Sequence, residues 1–303
     1  MTKFLEEVKE FTEDQIRKNI SNYADGDVYP KNLINKLGEK RYLGAPIPEE
    51  YGGLGLNAVS YGLLLECLGK ACSATRTLLT VHSSLVGQTL LKFGTEKQKK
   101  KWLPDISTGK KIAVFALSEP NTGSNAKQIE TNYIKKGNKY LLNGKKRWIS
   151  FGDIADIFVV IARNQDEITA FIIERENTSV QTSFIPNLTA GKATHIANVE
   201  LVNVEVPEEN ILGKVGSGFS YIVSTALDNG RYCVAWGGLA MAQESIEAMV
   251  WYSRNRKQSG KYIGEYQMIK SFIGDGIAHT HAARALCLKA GEMRDDKNPL
   301  AYM

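Results

Sequence analysis

Residues 118–125, Ser-Glu-Pro-Asn-Thr-Gly-Ser-Asn, are the stretch of this sequence best suited to binding a ligand. They directly follow a short apolar run, residues 112–117, which predicts a β-strand. Pro120, Gly123, the hydroxyl side chains and the free backbone N–H groups can cradle a phosphate or hydrogen-bond a planar polar ring. The same residue types also form ordinary turns, so composition alone leaves a plain loop as an alternative.

A second candidate is the tripeptide Trp148-Ile-Ser150. It ends the strand that follows Asn143-Gly144, a dipeptide favoured in type I′ hairpin turns. An indole at a strand end can stack on an aromatic cofactor, and a hydroxyl two residues on lies on the same side of the strand. Packing in a core is the alternative explanation for this tryptophan.

The other chemistry-bearing residues do not form a set that predicts a metal or dinucleotide site. His279 and His281 are two residues apart, so on a helix they diverge. No GxGxxG sequence lies between a strand and a helix, which argues against a Rossmann site. The cysteines lack CxxC spacing and predict reduced, mostly buried thiols; they are Cys67, Cys72, Cys233 and Cys287.

The composition is that of an ordinary globular protein. The 303 residues are 43% hydrophobic and 23% charged, with a formal charge of +5. The lysine-rich run at residues 97–101 predicts a solvated helix face and not a nucleic-acid site. No apolar run reaches the ~18 to 20 residues needed to cross a bilayer, and the first residues do not resemble a signal peptide. We therefore predict a cytoplasmic protein that binds neither nucleic acid nor membrane.

Residues 1–111 predict an N-terminal helical domain. Apolar residues recur at helical spacing in residues 60–68 and 78–93. Between the helices, the glycine-rich residues 47–56 predict a connecting turn that needs positive φ.

Residues 112–214 predict a central β domain. Hairpins in succession imply an antiparallel sheet that is packed or closed on itself, and we predict a β-barrel. The predicted strands lie in residues 112–117, 132–136, 140–143, 157–162, 168–173 and 195–206.

Residues 215–303 return to long helical segments and predict a C-terminal helical bundle, which makes the fold class α+β. Asn298 and Pro299 are typical of an N-cap and a first-turn proline. We therefore expect another helix to begin there and the C-terminal domain to be incomplete in this sequence.

The chain resembles the acyl-CoA dehydrogenase family over essentially its whole length. Five motifs in order, at domain-sized spacing, carry the resemblance. They are Pro48-Glu-Glu-Tyr-Gly-Gly-Leu-Gly55, Ala116-Leu-Ser-Glu-Pro-Asn-Thr-Gly-Ser-Asn125, Leu142-Asn-Gly-Lys-Lys-Arg-Trp-Ile-Ser150, Val206-Pro207 with Gly216-Ser-Gly-Phe219, and Arg254-Asn-Arg-Lys-Gln-Ser-Gly260 with Tyr266-Gln267.

The resemblance implies FAD held between the β domain and the C-terminal helices of a homodimer or homotetramer. It implies that Phe115, Leu117 and Ser118 line the flavin, that Gly123 and Ser124 approach the pyrophosphate, and that Trp148 and Ser150 flank the isoalloxazine ring. It implies that Arg256, Gln258 and Gln267 reach the FAD of a neighbouring subunit. It places Ser124, Asp228 and Arg231 toward an acyl thioester substrate.

The family abstracts the α-proton of the thioester with a glutamate while a hydride leaves for the flavin. Most members carry this base near the C-terminus, so we expect it beyond residue 303. A minority carry it at the position of Gly230. Glu244 and Glu247 predict solvent-facing charge. Two further departures from the family pattern are Asn125 in place of Asp and Ser259 in place of Phe.

Two stretches, residues 226–237 and 293–299, look closest to a biosynthetic branch that oxidises acyl groups on acyl carrier proteins to make antibiotic extender units. The first alternative is a catabolic acyl-CoA dehydrogenase that passes electrons to an electron-transfer flavoprotein. The second is a subunit that binds flavin or acyl groups without catalysis.

Overall fold

A computed structural model describes residues 2–19, 29–177 and 179–302. The chain divides into two compact units, each assembled from separated stretches. Unit 1 contains residues 1–20, 57–76 and 232–303, and unit 2 contains residues 21–56 and 77–231. No helix in the described ranges combines the length and hydropathy needed to span a membrane.

Unit 1 is helical. Its elements are α1 (Thr2–Phe11), which continues as a π-helical turn (Thr12–Ile16), α3 (Ala58–Ala71), most of α7 (Ser224–Asn255), the short hairpin β9 (Lys257–Gln258) and β10 (Lys261–Tyr262), and α8 (Gln267–Asp295). Trp236 on α7 is completely buried and meets the ring of Tyr232 edge-on at 6.3 Å. The Tyr232 hydroxyl donates to the carbonyl oxygen of Ala58 at 2.7 Å, which ties α7 to the start of α3.

The helices of unit 2 precede the sheet in the chain. They are α2 (Lys31–Glu39), the last three residues of α4 (Ser73–Leu79, whose first four residues belong to unit 1), a π-helical segment (Thr80–Gly87), α5 (Gln88–Phe93) and α6 (Glu96–Thr108), and a second π-helical segment (Gly218–Val223) leads into α7. Burial keeps His82 neutral, with its pKa lowered to about 4. Its Nδ1 accepts from the N–H of Ala113 at 3.0 Å, and Nε2 lies 2.8 Å from the carbonyl oxygen of Ile106. The imidazole thereby joins the helices to the first strand.

Over the described residues, the sheet of unit 2 has eight strands. They are β1 (Ala113–Ala116), β2 (Asn132–Lys136), β3 (Lys139–Ile149), β4 (Ile157–Asn164), β5 (Glu167–Glu174), β6 (Val180–Phe184), β7 (Ala197–Pro207) and β8 (Ile211–Leu212). The strand order is β6-β7-β3-β2-β4-β5-β8, and β1 pairs with β4.

The order of helices, sheet and helices predicted from the sequence is confirmed, but the closed antiparallel barrel is wrong. β6 and β8 stand at opposite ends of the strand order, and no pairing within the described residues closes them. The sheet is also mixed, because β1 and β2 both run parallel to β4. The domain boundaries at residues 111 and 214 stay a prediction.

The predicted turn at Asn143-Gly144 is also wrong, because both residues lie inside β3. The two-residue loop at Gly137-Asn138 makes the hairpin, with Lys136 paired to Lys139. A register shift in the pairing of β3 with β7 falls at Leu142 and Gly144. Gly144 has a φ of 155°, and a Cβ there would lie 2.4 Å from the Thr131 hydroxyl oxygen. The glycine at position 144 therefore allows the segment that contains Thr131 to approach β3 closely, and it does not form a turn.

The core of unit 2 lies between one face of the sheet and the helices. It also includes the apolar side chains of the π-helical segment that leads into α7. Its largest contributors are Ile47, Tyr51, Leu90, Trp102, Leu103, Ile106, Phe115, Ile157, Ile161, Ile172, Leu212 and Ile222.

Candidate active site

The loop that follows β1 has a buried base and an exposed tip. Leu117 is buried, Ser118 is half-buried, and Glu119 and Thr122 close a tight turn with N–H to carbonyl hydrogen bonds of 2.9 and 3.2 Å. The Thr122 hydroxyl donates to the carbonyl oxygen of Gln128 at 3.0 Å. Residues 123–125 remain exposed at the tip. The predicted ligand-binding segment is therefore a braced loop whose polar end faces solvent.

An ion pair lies buried beneath this loop. Lys146 of β3 and Glu119 are 0% and 1% exposed at their side chains, and Lys146 Nζ donates to Glu119 Oε1 at 2.7 Å. Lys146 also donates to the carbonyl oxygen of Leu117 at 3.1 Å. No local sequence pattern predicts this pair, because Lys146 stands in a cationic run and Glu119 among turn-forming residues. The only signal in the sequence was that both lie inside family motifs.

Each member of this pair shifts the titration of the other. Burial lowers the pKa of Lys146 to about 8, with Glu119 opposing that shift. Burial raises the pKa of Glu119, but the Lys146 ammonium and the hydrogen bonds that the carboxylate accepts outweigh it. The net pKa of Glu119 therefore lies below its ordinary value.

Trp148 lies beside the loop base at the end of β3. The N–H of the preceding Arg147 donates to the carbonyl oxygen of Ser118 at 2.8 Å, which holds the strand end against the loop. The Trp148 side chain is 49% exposed, and its φ of 63° is in the left-handed region. This conformation is costly for a bulky residue and is typical of functional sites. The Arg147 guanidinium carbon lies 4.6 Å from the centroid of the indole.

The chain beyond half-buried Ser150 is held by a second buried polar group that the sequence did not reveal. His195 Nδ1 lies 2.7 Å from Asp153 Oδ2, and Nε2 accepts from the N–H of Tyr29 at 2.6 Å. Because Nε2 accepts, the ring proton is on Nδ1 and donates to Asp153. The Phe151 N–H donates to the carbonyl oxygen of Thr194 at 2.7 Å. These contacts fix the backbone directly after the tripeptide.

Asp228 and Arg231 are one turn apart on the first part of α7, half-buried and exposed, respectively. They belong to the same unit as Ser124. Gly230 between them is buried, and a Cβ at that position would lie 2.9 Å from Leu85 Cδ2. The position leaves no room for a carboxylate side chain unless Leu85 moves.

Arg256, Gln258 and Gln267 lie in unit 1, all exposed. Gln258 belongs to the β9–β10 hairpin, whose turn residues Ser259 and Gly260 both have positive φ. The predicted residues Phe115, Leu117, Ser118, Gly123, Ser124, Trp148 and Ser150 all belong to unit 2, whereas these three polar residues belong to unit 1.

The two glutamates considered beside the expected base are engaged at the surface. Glu244 pairs with Arg17 at 2.6 Å, and Glu247 pairs with Lys70 at 2.5 Å. No cluster of His, Cys, Asp and Glu in the described part of the chain could hold a metal ion.

Three sequence profiles of one family match the chain. They are the N-terminal, middle and C-terminal domains of acyl-CoA dehydrogenase, at residues 2–110, 114–204 and 216–302. The chain belongs to the acyl-CoA dehydrogenase family, whose members are FAD-dependent oxidoreductases that act on acyl thioesters.

Curated relatives cover nearly the whole chain. An acyl-CoA dehydrogenase of Bacillus subtilis (strain 168) is 36% identical over 305 residues, which are 95% of this chain and 78% of the relative. The caffeyl-CoA reductase-Etf complex subunit CarC of Acetobacterium woodii is 32% identical over 295 residues, 95% of this chain and 78% of the relative.

Solved structures show the same fold. Butyryl-CoA dehydrogenase from Megasphaera elsdenii superposes with a TM-score of 0.94 at 32% identity, covering 99% of this chain and 80% of the other. The prolyl acyl carrier protein oxidase AnaB superposes with a TM-score of 0.91 at 28% identity, covering 98% and 80%.

Proposed function

We propose that this chain binds FAD at the end of the sheet in unit 2 and takes part in the oxidation of an acyl thioester. The observation that carries the proposal is Trp148, a half-exposed indole with a strained backbone, fixed beside a loop whose polar tip is open. A large aromatic surface left in solvent and held in an unfavourable conformation suits a planar ligand ring.

The surrounding residues fit the remaining parts of the cofactor. Gly123 is exposed, and a Cβ placed on it would meet nothing within 4 Å, so the backbone there is open to a large group. Exposed N–H groups of a turn together with the Ser124 hydroxyl suit a pyrophosphate. The half-buried Ser118 and Ser150 offer hydrogen-bonding groups beside the indole. Phe115 and Leu117 form the apolar floor of this site.

Bound FAD would supply the hydride acceptor for the oxidation. In this proposal Ser124, Asp228 and Arg231 face the thioester, and backbone and side-chain donors stabilise negative charge on its carbonyl oxygen. Arg256, Gln258 and Gln267 would contact the FAD of a second copy in a homodimer or homotetramer. The planar donor fork of Arg256 suits a phosphate.

For the substrate, we propose an acyl group carried on an acyl carrier protein, in a biosynthetic route to antibiotic extender units. The resemblance of residues 226–237 and 293–299 to that branch supports this choice, as does the structural similarity to a prolyl acyl carrier protein oxidase. The formal charge of +5 is compatible with an acidic protein partner.

A specific observation favours a second candidate, a catabolic acyl-CoA dehydrogenase. The relatives named above include enzymes of CoA esters, and one is a subunit of a complex with an electron-transfer flavoprotein. That flavoprotein would then be the electron acceptor.

The test is flavin binding followed by reduction. The purified protein is titrated with FAD, and the flavin absorbance is then followed anaerobically with matched acyl-carrier-protein and acyl-CoA thioesters. We expect saturable FAD binding and faster bleaching by the carrier-bound acyl group. Faster bleaching by the CoA ester would favour the catabolic candidate, and binding without bleaching by any thioester would favour a non-catalytic subunit. A protein that does not bind FAD would overturn the proposal.

A further inference from the structure

Lys146 is a charged residue whose side chain is completely buried. It is 0% exposed within β3, two residues before Trp148. A fully buried lysine is rare unless it is paired. Its ammonium donates to the carbonyl oxygen of Leu117 at 3.1 Å and to Glu119 Oε1 at 2.7 Å. One cation therefore connects the strand of the indole to the base of the loop.

Glu119 extends this connection to the far end of the loop. Its Oε1 accepts from the N–H of Thr131 at 3.0 Å, and its Oε2 accepts from the N–H of Glu130 at 2.5 Å. A single carboxylate thus joins residues that are 11 and 12 positions away along the chain. The entry and the exit of the loop are held at one buried point.

Stability alone is a poor explanation for such a pair. Removing two charges from water is costly, and an apolar pair of similar volume often stabilises a core as well or better. An ion pair with fixed hydrogen bonds sets a particular geometry, which an apolar pair does not. The groups held here are those on either side of the proposed flavin site.

We infer that Lys146 and Glu119 are positioning residues that hold the loop of residues 118–131 against the end of β3, so that the loop tip and Trp148 face the flavin together. This inference rests on the proposed function. Both side chains are buried, and they act through the backbone that they hold.

The first experiment measures the loop in the protein without flavin. Hydrogen exchange of the backbone N–H groups of Glu130 and Thr131 is compared between wild type, Glu119→Gln and Lys146→Met. We expect at least tenfold faster exchange in both variants, because the acceptor or its partner is lost. Unchanged exchange at both N–H groups in folded variants would overturn the inference, whether or not the protein binds FAD.

The second experiment measures FAD affinity and the visible spectrum of the bound flavin. We expect Lys146→Met to weaken FAD binding at least tenfold and to alter the spectrum. The matched control is Lys145→Met, since Lys145 is adjacent on the same strand but makes an exposed pair with Glu200 at 2.9 Å. This control should bind FAD like the wild type.

Loss of one partner leaves a buried charge, so the single variants can unfold. The double variant Glu119→Gln with Lys146→Met removes both charges, so no unpaired charge stays buried. Circular dichroism and Tm show whether this variant folds. A folded double variant with wild-type affinity and spectrum contradicts the inference. Absence of FAD binding in the wild type contradicts the proposed function instead, and the exchange measurement still decides the role of the pair.

Discussion

Trp148 and Trp102 belong to the same unit but place their indoles in opposite environments. Trp102 is 1% exposed, and its Nε1 donates to Glu174 at 3.0 Å, whereas Trp148 is 49% exposed. Burial of a tryptophan contributes several kcal/mol to folding, and a half-exposed one contributes far less. The contrast separates a structural indole from one that is available to a ligand.

We expect Trp148→Ala to lower the free energy of unfolding by about 1 kcal/mol or less and to weaken FAD binding at least tenfold. The small stability effect follows from exposure, and the loss of affinity follows from the loss of the ring surface. Denaturant unfolding and FAD titration of the same preparation measure both quantities.

Trp102→Ala is the matched control, with an expected loss of about 3–5 kcal/mol, because it empties a buried site. If Trp148→Ala were as destabilising as Trp102→Ala and its folded fraction bound FAD normally, Trp148 would be a core residue and the flavin site would lie elsewhere.

The sequence indicated the exposed parts of this site better than the parts that support it. Trp148 and residues 118–125 were found because aromatic, hydroxyl and turn-forming residues are suited to ligands by type alone. Lys146 and Glu119 were missed because a charged residue predicts exposure unless its partners are known. Those partners come from the loop after β1, from β3 and from the residues just before β2, and no local pattern connects them.

At the scale of elements, Glu174 at the end of β5 joins the sheet to α6 and to the residues after it. Its carboxylate lies 2.6 Å from Lys101 and 2.8 Å from Lys111, and it accepts from Trp102. Burial raises the pKa of Glu174, but these three donors outweigh it and lower the pKa to about 2.

We expect this cluster to make unfolding sensitive to acid. Because the pKa in the folded protein lies below that of the unfolded chain, the stabilisation is complete above about pH 4.5 and is lost as pH falls toward 2. Wild type should lose about 2 kcal/mol more than Glu174→Gln over that range, after allowance for screening at half-exposed Lys101. Urea unfolding at pH 5.5, 4 and 3 measures the difference.

Glu209→Gln serves as the comparison, since Glu209 pairs with Lys97 on the same helix but both side chains are mostly exposed. Its acid sensitivity should match that of the wild type. Parallel loss of stability in wild type and Glu174→Gln would show that Glu174 does not attach α6 to the sheet.

The strands themselves were largely predictable, and their turns were less so. Alternating and apolar runs located β3, β4, β5 and β7, because side-chain period and strand geometry are local properties. The turn predicted at Asn143-Gly144 is absent because tertiary contacts override the local preference of these residues. Thr131 lies so close to Gly144 that only a glycine fits at this position. Gly137-Asn138 supplies the turn. The predicted strand at residues 132–136 matches β2, whereas the one at residues 140–143 is only the first part of β3.

At the scale of the whole molecule, two features depended on contacts that the sequence does not encode locally. Closure of the sheet would need β6 to pair with β8, and edge pairing is decided by register and twist over all the strands. Unit 1 combines residues 57–76 with residues 232–303, although 155 residues separate them along the chain (77–231). The composition of the sequence predicted where helices end and strands begin, but it did not predict which helices pack against each other.

Asp295 at the end of α8 supports the start of α3 within unit 1. Its carboxylate accepts from the N–H of Ala58 at 2.6 Å and of Val59 at 3.2 Å, while Asn57 accepts from Ser60 at 2.9 Å. We expect Asp295→Ala to cost about 1 kcal/mol, the usual value of a helix cap, and to lower the Tm by about 2–4 °C.

Scanning calorimetry measures this change, and Asp296→Ala is the control because Asp296 is also exposed and adjacent but its carboxylate caps no helix among the described contacts. Equal Tm values for the two variants would argue that water replaces the Asp295 carboxylate at α3 without loss.

The same contact has a consequence for how the protein is made. Asp295 leaves the ribosome 237 residues after Ala58, which is roughly ten to fifty seconds at about 5–20 residues per second. The whole sheet of unit 2 is synthesised within that interval, so it can form while the first helices of unit 1 still lack α8 and much of α7. During those seconds the apolar face of α3 is incompletely covered, and a chaperone that binds exposed helical segments would find its target there.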